Sequence, residues 1–505
     1  MRRALAILLL MMVALAPWPA QAQERLRIGV NTLPVSMGDP FRGNGRPGTL
    51  VWYALFDALT RLDSQGRLQP ALATSWAMEA PTRWRFTLRA GVRFSNGEAF
   101  DAAAAAAVLT WLTSPAGKRT VVGNELRTLK AATADGPLAL ILETTRPDPI
   151  LPKRLIAALM VEPKAWVQLG PAGFAQAPIG TGPYRLAAWD QRRRRVTLEA
   201  NPNAWRRGVI SHLEFVELPD AAVRSQALLS RDVDIAPVEI EELDRLRARG
   251  FSVLTAGTMS VMSIAFITER KTPSPLQDLR VRQALNYAVD KEALAKMLLR
   301  GMGRAASQPA PAGASGHDAA LSAYPHDPAK ARALIAAAGY PDGFSLDIEV
   351  QINAFPADSL IFQALASDLR AVGVRPRIRV IALAQYLRKL AGNLWTVDAF
   401  GASWNSAPYN DVTRPMESFS CKRPKPFFCD KALAAALGEA SEILDPAARD
   451  AAMRGLARRY QEAAPALFLV EQVDIWAYRP DLSGVALANR VPGWDHLTLA
   501  REVRR

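Results

Sequence analysis

From Asp220 to Tyr478 helical and strand patterns alternate, with no Gly/Ser-rich linker between them. That alternation restricts the chain to an α/β fold, since each apolar strand face needs a helix to cover it. Local signals mark the pieces. Asp220 opens a helix, and Val233 to Ala236 reads as a short strand. A charged helix is expected over Glu239 to Arg249, and a buried strand over Val261 to Thr268. Asp327, Pro328 and Gly339 supply an N-cap, a first-turn proline and a C-terminal stop for one helix. Strands are predicted at Leu346 to Gln351, Arg377 to Ile381 and Thr396 to Phe400, with helices at Ser359 to Val372 and Ala382 to Leu390. Two Ala-rich helices span about 430–463, and strand returns at Leu467 to Val470 and Val473 to Tyr478.

The first third reads differently. Arg25 to Val30 alternates like a strand, and Trp84 to Leu88 alternates aromatic and polar residues. Asn96 and Gly97 form a turn dipeptide, and Asp101 caps a run of alanines, the best helix formers. At roughly 150 residues per domain, 505 residues suggest two or three lobes. Without flexible linkers, the lobes are expected to be joined by crossing strands with a cleft between them, where ligands bind.

The N-terminus predicts export. Arg2 and Arg3 precede an apolar run of 13 residues, Ala4 to Ala16, broken by Pro17 and Pro19. Ala20 and Ala22 then occupy the −3 and −1 positions of a signal-peptide cleavage site. The run is shorter than the ~20 residues of a membrane span. Cleavage after Ala22 lowers the net charge from +14 to +12 by removing Arg2 and Arg3. No Cys follows the run, so a soluble periplasmic chain without a lipid anchor is expected. In that oxidising compartment Cys421 and Cys429 are expected to close a small disulfide loop. By loop entropy such a bridge contributes about 2–3 kcal/mol. A metal site is disfavoured, because His212, His317, His326 and His496 are scattered.

Catalytic patterns are missing. There is no GxxxxGK[ST], no complete GxSxG and no HExxH. Gly180 to Tyr184 (GTGPY) resembles a phosphate loop, but Pro183 removes an amide donor and a strand follows. A tight turn is the better reading. The Arg192 to Arg195 run is read as a solvated hairpin tip rather than a nucleic-acid contact.

Several blocks in order carry a family resemblance. They are Leu55 to Asp63, Gln69 to Trp76, Trp84 to Glu98, Pro178 to Tyr184, Asn201 to Trp205, Asp278 to Asp290 and Asp327 to Leu334. The chain resembles the periplasmic solute-binding proteins of the peptide/nickel class, family 5. That resemblance implies a non-enzymatic receptor without cofactor, which hands a peptide-like or other polar organic solute to the permease and ATPase subunits of an ATP-driven importer. It implies a monomer with the periplasmic-binding-protein fold, type II (cluster C), with two main lobes, hinge strands and an extra α+β lobe. Lobe I would comprise 23–53, 178–267 and 466–505, lobe II 54–177, and lobe III 268–465. A nickel or metallophore carrier of the same family, and an exported hydrolase, are the alternatives.

In the family's peptide binders an Asp shortly after a characteristic Trp grips the α-amine. The matching stretch here runs from Gly401 through Trp404 to Asp411, with Ala407 at the Asp position. Ordinary peptide binding is therefore placed in doubt. Asp411 would substitute only in a rearranged loop. Cleft residues are predicted at strand ends and at acids within apolar runs: Pro237, Val238, Glu239, Met259, Ser260, Ser263 and Glu471. Trp404, Asn405, Tyr409 and the early-loop Arg46 complete the candidates.

Overall fold

A computed structural model describes residues 24–43, 45–423 and 425–500. The leader expected at 1–22 and the cleavage expected after Ala22 fall outside the described residues. The architecture is mixed α/β, built on a twisted sheet of ten strands. In spatial order these are Val374–Val380, Phe344–Val350, Ala399–Asn405, Ser252–Phe266, Ala466–Tyr478, Ile235–Pro237, Arg25–Val30, His212–Glu217, Arg195–Ala200 and Tyr184–Asp190. A separate four-stranded antiparallel sheet is made by Ala73–Ala80, Arg83–Leu88, Ala139–Thr144 and Leu129–Ala134.

Two long strands at the centre of the large sheet connect its two ends. Ser252–Phe266 and Ala466–Tyr478 run antiparallel, Ser252 opposite Tyr478 and Ala265 opposite Ala466. Both exceed the sequence expectation. The strand predicted to begin at Val261 starts at Ser252, and Glu471 and Gln472 lie inside one continuous strand. The interruption falls on the partner instead, where the pairing skips between Gly257 and Val261. A bulge there leaves Thr258 to Ser260 without partners on that side and bends the strand.

Local chemistry explains most helix starts. The side chains of Asp101, Asp220, Asp278, Asp327, Asp430 and Asp445 each accept an amide of the first turn. The helix expected over Glu239 to Arg249 is shorter. Glu239 is extended, a 3-10 turn covers Ile240–Glu242, and the α-helix is Leu243–Ala248. The GTGPY stretch is a turn feeding the Tyr184–Asp190 strand. A Cβ at Gly182 would lie 2.4 Å from the Ala54 carbonyl oxygen, so only glycine permits this packing. Arg192 to Arg194 form the exposed tip of the hairpin that joins Tyr184–Asp190 to Arg195–Ala200.

Candidate ligand-binding site

A cavity of about 580 Å³ opens beside the two central strands, within the range of small-molecule sites. One wall comes from Thr32, Arg46, Arg224, Pro237 to Glu239 and the Asp474 stretch, joined by Arg490. The facing wall comes from the loop before helix Asp358–Ala371, from helix Leu383–Gly392, and from the segment between Gly401 and Phe427. Rings and charges both line it, the rings including Phe355, Tyr386, Phe419 and Phe427.

Asp474 organises the first wall. Only 5% exposed, it accepts from Arg46 and, at 2.8 Å on each oxygen, from Arg490 Nε and Nη2. Burial alone would raise its carboxyl, but the two guanidinium groups outweigh that and hold it below the usual range. Burial and the neighbouring Arg490 bring Arg46 down to about 10. Arg490 also lies over the Phe355 ring at 5.2 Å, so the two walls touch.

A second contact between the walls runs through Glu239. Its Oε2 accepts the Ala357 amide at 3.3 Å, next to the start of helix Asp358–Ala371. Burial above all, with Asp358 and Glu241 nearby, pushes the Glu239 carboxyl up to about 7. Asp358 is saturated by the amides of Asn353, Ala354 and Phe355 at 2.9–3.2 Å.

On the facing wall Arg414 donates to Glu125 Oε1 at 2.9 Å and to the Asn405 carbonyl at 2.7 Å. Arg423 lies on the loop closed by the Cys421–Cys429 disulfide. It donates to the Leu390 carbonyl at 2.6 Å and sits over Phe427 at 4.4 Å.

Of the residues singled out from the sequence, the structure brings Arg46, Pro237, Val238, Glu239 and Asn405 to this cavity. The others lie elsewhere. Trp404 is fully buried one ring behind the wall, stacked on Phe419 at 4.0 Å and packed edge-on to Phe468. Met259 and Ser260 fall in the bulge, and Met262 lines the cavity in their place. Ser263 turns to the Ala402 carbonyl at 3.2 Å. Tyr409 is fully buried, accepting from Arg154 at 3.2 Å and donating to Glu125 at 2.9 Å. Glu471 accepts the Ala312 amide at 2.9 Å and lines a different cavity, with His317 and Arg304. Asp411 cannot replace the absent amine anchor, because Arg449 grips both its oxygens at 2.9 Å. That grip outweighs burial and holds its carboxyl far below the usual range.

Arg224, Tyr386, Arg414, Arg423, Asp474 and Arg490 were missed. Asp474 carried a usable signal, an acid inside the apolar Leu467 to Tyr478 run. Arg423 carried another, its place between two cysteines. Among the described residues no group of three or more His, Cys, Asp or Glu is arranged to hold a metal ion. Among them, no helix is long and apolar enough to cross a membrane.

Known proteins share this fold. The profile of the bacterial extracellular solute-binding proteins, family 5 Middle, matches residues 67–426. The chain belongs to this family. Its members are receptors that pass solutes to ATP-driven importers, and the fold is that of the periplasmic binding proteins. A glutathione-binding protein, GsiB, of Pectobacterium atrosepticum is 26% identical over 491 residues, covering 93% of both chains. The DppA periplasmic binding protein of Helicobacter pylori, in complex with the peptide STSA, superposes with a TM-score of 0.82 at 19% identity. The match covers 94% of this chain and 98% of that one. AgaA of A. tumefaciens, in complex with agropinic acid, gives a TM-score of 0.79 at 22% identity, covering 94% and 99%.

Proposed function

We propose that this family member is a non-enzymatic periplasmic receptor for a peptide-like or other polar organic solute. It is exported on the leader at 1–22, which is cleaved after Ala22. The solute occupies the cavity beside the two central strands and is delivered to the permease and ATPase of an importer. Residues 23–53, 178–267 and 466–505 form one lobe, 54–177 a second and 268–465 a third. The first and third close over the solute by bending at the central strands. The observation that carries this reading is the cavity itself. Its walls come from segments hundreds of residues apart, meet through Glu239 and Arg490, and present charges and rings together.

The test is a thermal-shift screen on protein unfolded and refolded to strip any bound solute. Peptides, acylated amino acids, sugars, amines, and Ni²⁺ with free histidine form the panel. A bound solute stabilises the native state by mass action, about 2.7 kcal/mol at a hundredfold excess over Kd. At least one class is expected to raise Tm by several degrees. A flat response to every class would overturn the reading.

A further inference from the structure

The charges around the cavity are unequally partnered. Three carboxylates line it, and each is engaged: Asp474 by two arginines, Asp358 by three backbone amides and Glu239 by one. Glu239 is pushed up to about 7, mainly by burial, so it shifts between neutral and charged around neutral pH. Five guanidinium groups line the same space: Arg46, Arg224, Arg414, Arg423 and Arg490. Arg46 and Arg490 share one carboxylate, and Arg414 has Glu125. Among the described residues Arg224 and Arg423 make no ion pair within 4 Å, although Glu239 and Asp220 act on Arg224 from farther off. Arg224 gives its protons to the carbonyls of Leu218, Pro219 and Pro237. Arg423 gives one to Leu390, and its Nε is buried without an acceptor. Burial pulls the Arg423 pKa down.

A cation held out of water without a counterion is costly, and a ligand anion removes that cost. The two arginines without a carboxylate in direct contact stand on facing walls, Arg224 beside Arg46 and Arg490, and Arg423 beside Phe427. We infer that the solute is an organic acid with two carboxylates, one gripped by Arg423 and the other by the Arg46–Arg224–Arg490 cluster. This inference rests on the receptor reading and names its solute class. The planar guanidinium fork fits a carboxylate edge with two parallel hydrogen bonds. The rings that line the cavity suit an apolar or amide spacer. A phosphate fits less well. The amides before helix Asp358–Ala371, of the kind that hold phosphate, are already taken by Asp358 and Glu239. For a free ammonium the lining offers Glu239, held by one amide, while Asp474 and Asp358 are engaged, Asp411 is held by Arg449 and Ala407 stands in the family's amine-anchoring position.

Calorimetry at pH 7.5 on the stripped protein tests this. The probes are succinyl-, glutaryl- and adipoyl-alanine, their ω-amides, Ala-Ala, and N-acetyl-O-phosphoserine. At least one diacid is expected to bind 10- to 100-fold more tightly than its ω-amide, the range for a charged hydrogen bond. Arg423→Gln is expected to lower that affinity by a similar factor, with Arg423→Lys restoring part of it. Should Arg423→Gln fail to fold by circular dichroism, the comparison of diacid with ω-amide on the unaltered protein decides. Equal affinity for diacid and ω-amide overturns the inference, as does preference for the phosphoserine probe. If Ala-Ala or nickel–histidine stabilises the protein while the diacids do not, the solute class is wrong and the receptor reading stands. Silence from every probe here and across the broad screen defeats both.

Discussion

Glu239 couples the two walls of the cavity to pH. Its carboxyl is pushed up to about 7, chiefly by burial, although the Ala357 amide and Arg224 favour the ionised form. In the unfolded chain the same group ionises near its ordinary value of 4.5. Between those values the native state holds a proton that the unfolded state releases. Stability from this group is therefore complete below pH 4.5 and is lost as pH rises to 7. Glu239→Gln should abolish that loss and gain about 1–2 kcal/mol on the parent across the window, discounted for its partial exposure from about 1.4 kcal/mol per pH unit. Urea melts at acidic, intermediate and neutral pH check it. Parallel pH profiles for the two proteins would show that Glu239 carries no such linkage.

The loop between Cys421 and Cys429 belongs to the cavity wall, because it carries Arg423 and Phe427. Its disulfide ranks as a local fastener on stability grounds, worth about 2–3 kcal/mol for so short a loop. Its larger effect should be on binding. Opening the bridge frees the arginine whose side chain is held, among the described residues, by the Leu390 carbonyl and the Phe427 ring. Cys429→Ser, or mild reduction, is expected to weaken solute binding about tenfold, in the range of one charged hydrogen bond. Calorimetry with and without reductant, using a solute from the screen, measures this. Unchanged affinity in the reduced protein would detach the loop from the site. The bulge at Thr258 to Ser260 acts at the same scale, since it lets two strands of 15 and 13 residues cross the molecule and still bend.

Across the whole molecule, a buried charge network joins the segment holding the four-stranded sheet to the cavity's facing wall. Arg154 meets Asp148 at 3.1 Å and Tyr409 at 3.2 Å, and Tyr409 leads through Glu125 to Arg414. Arg154 and Asp148 are 3% and 2% exposed. Arg154→Met should cost about 3–5 kcal/mol, the penalty for stranding a buried carboxylate. Tyr409→Phe should cost about 1–2 kcal/mol, since it removes hydrogen bonds and leaves packing intact. Denaturant midpoints give both values. Losses below 1 kcal/mol for both would make the network incidental to stability.

What could be read from the chain alone was local. Aspartate caps, alanine-rich helices, the GTGPY turn, the Arg25–Val30 strand and the close cysteine pair each depend on neighbours a few residues away. Ordered blocks of such signals were enough to reach the family and its fold. Trp404 and Tyr409 show where that reading stopped. Each stood at the expected place in the sequence, yet one stacks behind Phe419 and the other ties Arg154 to Glu125. Local pattern does not say which face of a strand end meets solvent and which meets a core. Charge pairing is less local still. Arg46 and Asp474 are 428 positions apart, and Arg414 and Glu125 are 289 apart. The sequence by itself determined the elements, their caps, the disulfide and the family. Only the tertiary structure decided which arginines keep a carboxylate in contact and which do not, because a buried charge is balanced by whatever the folded chain places beside it.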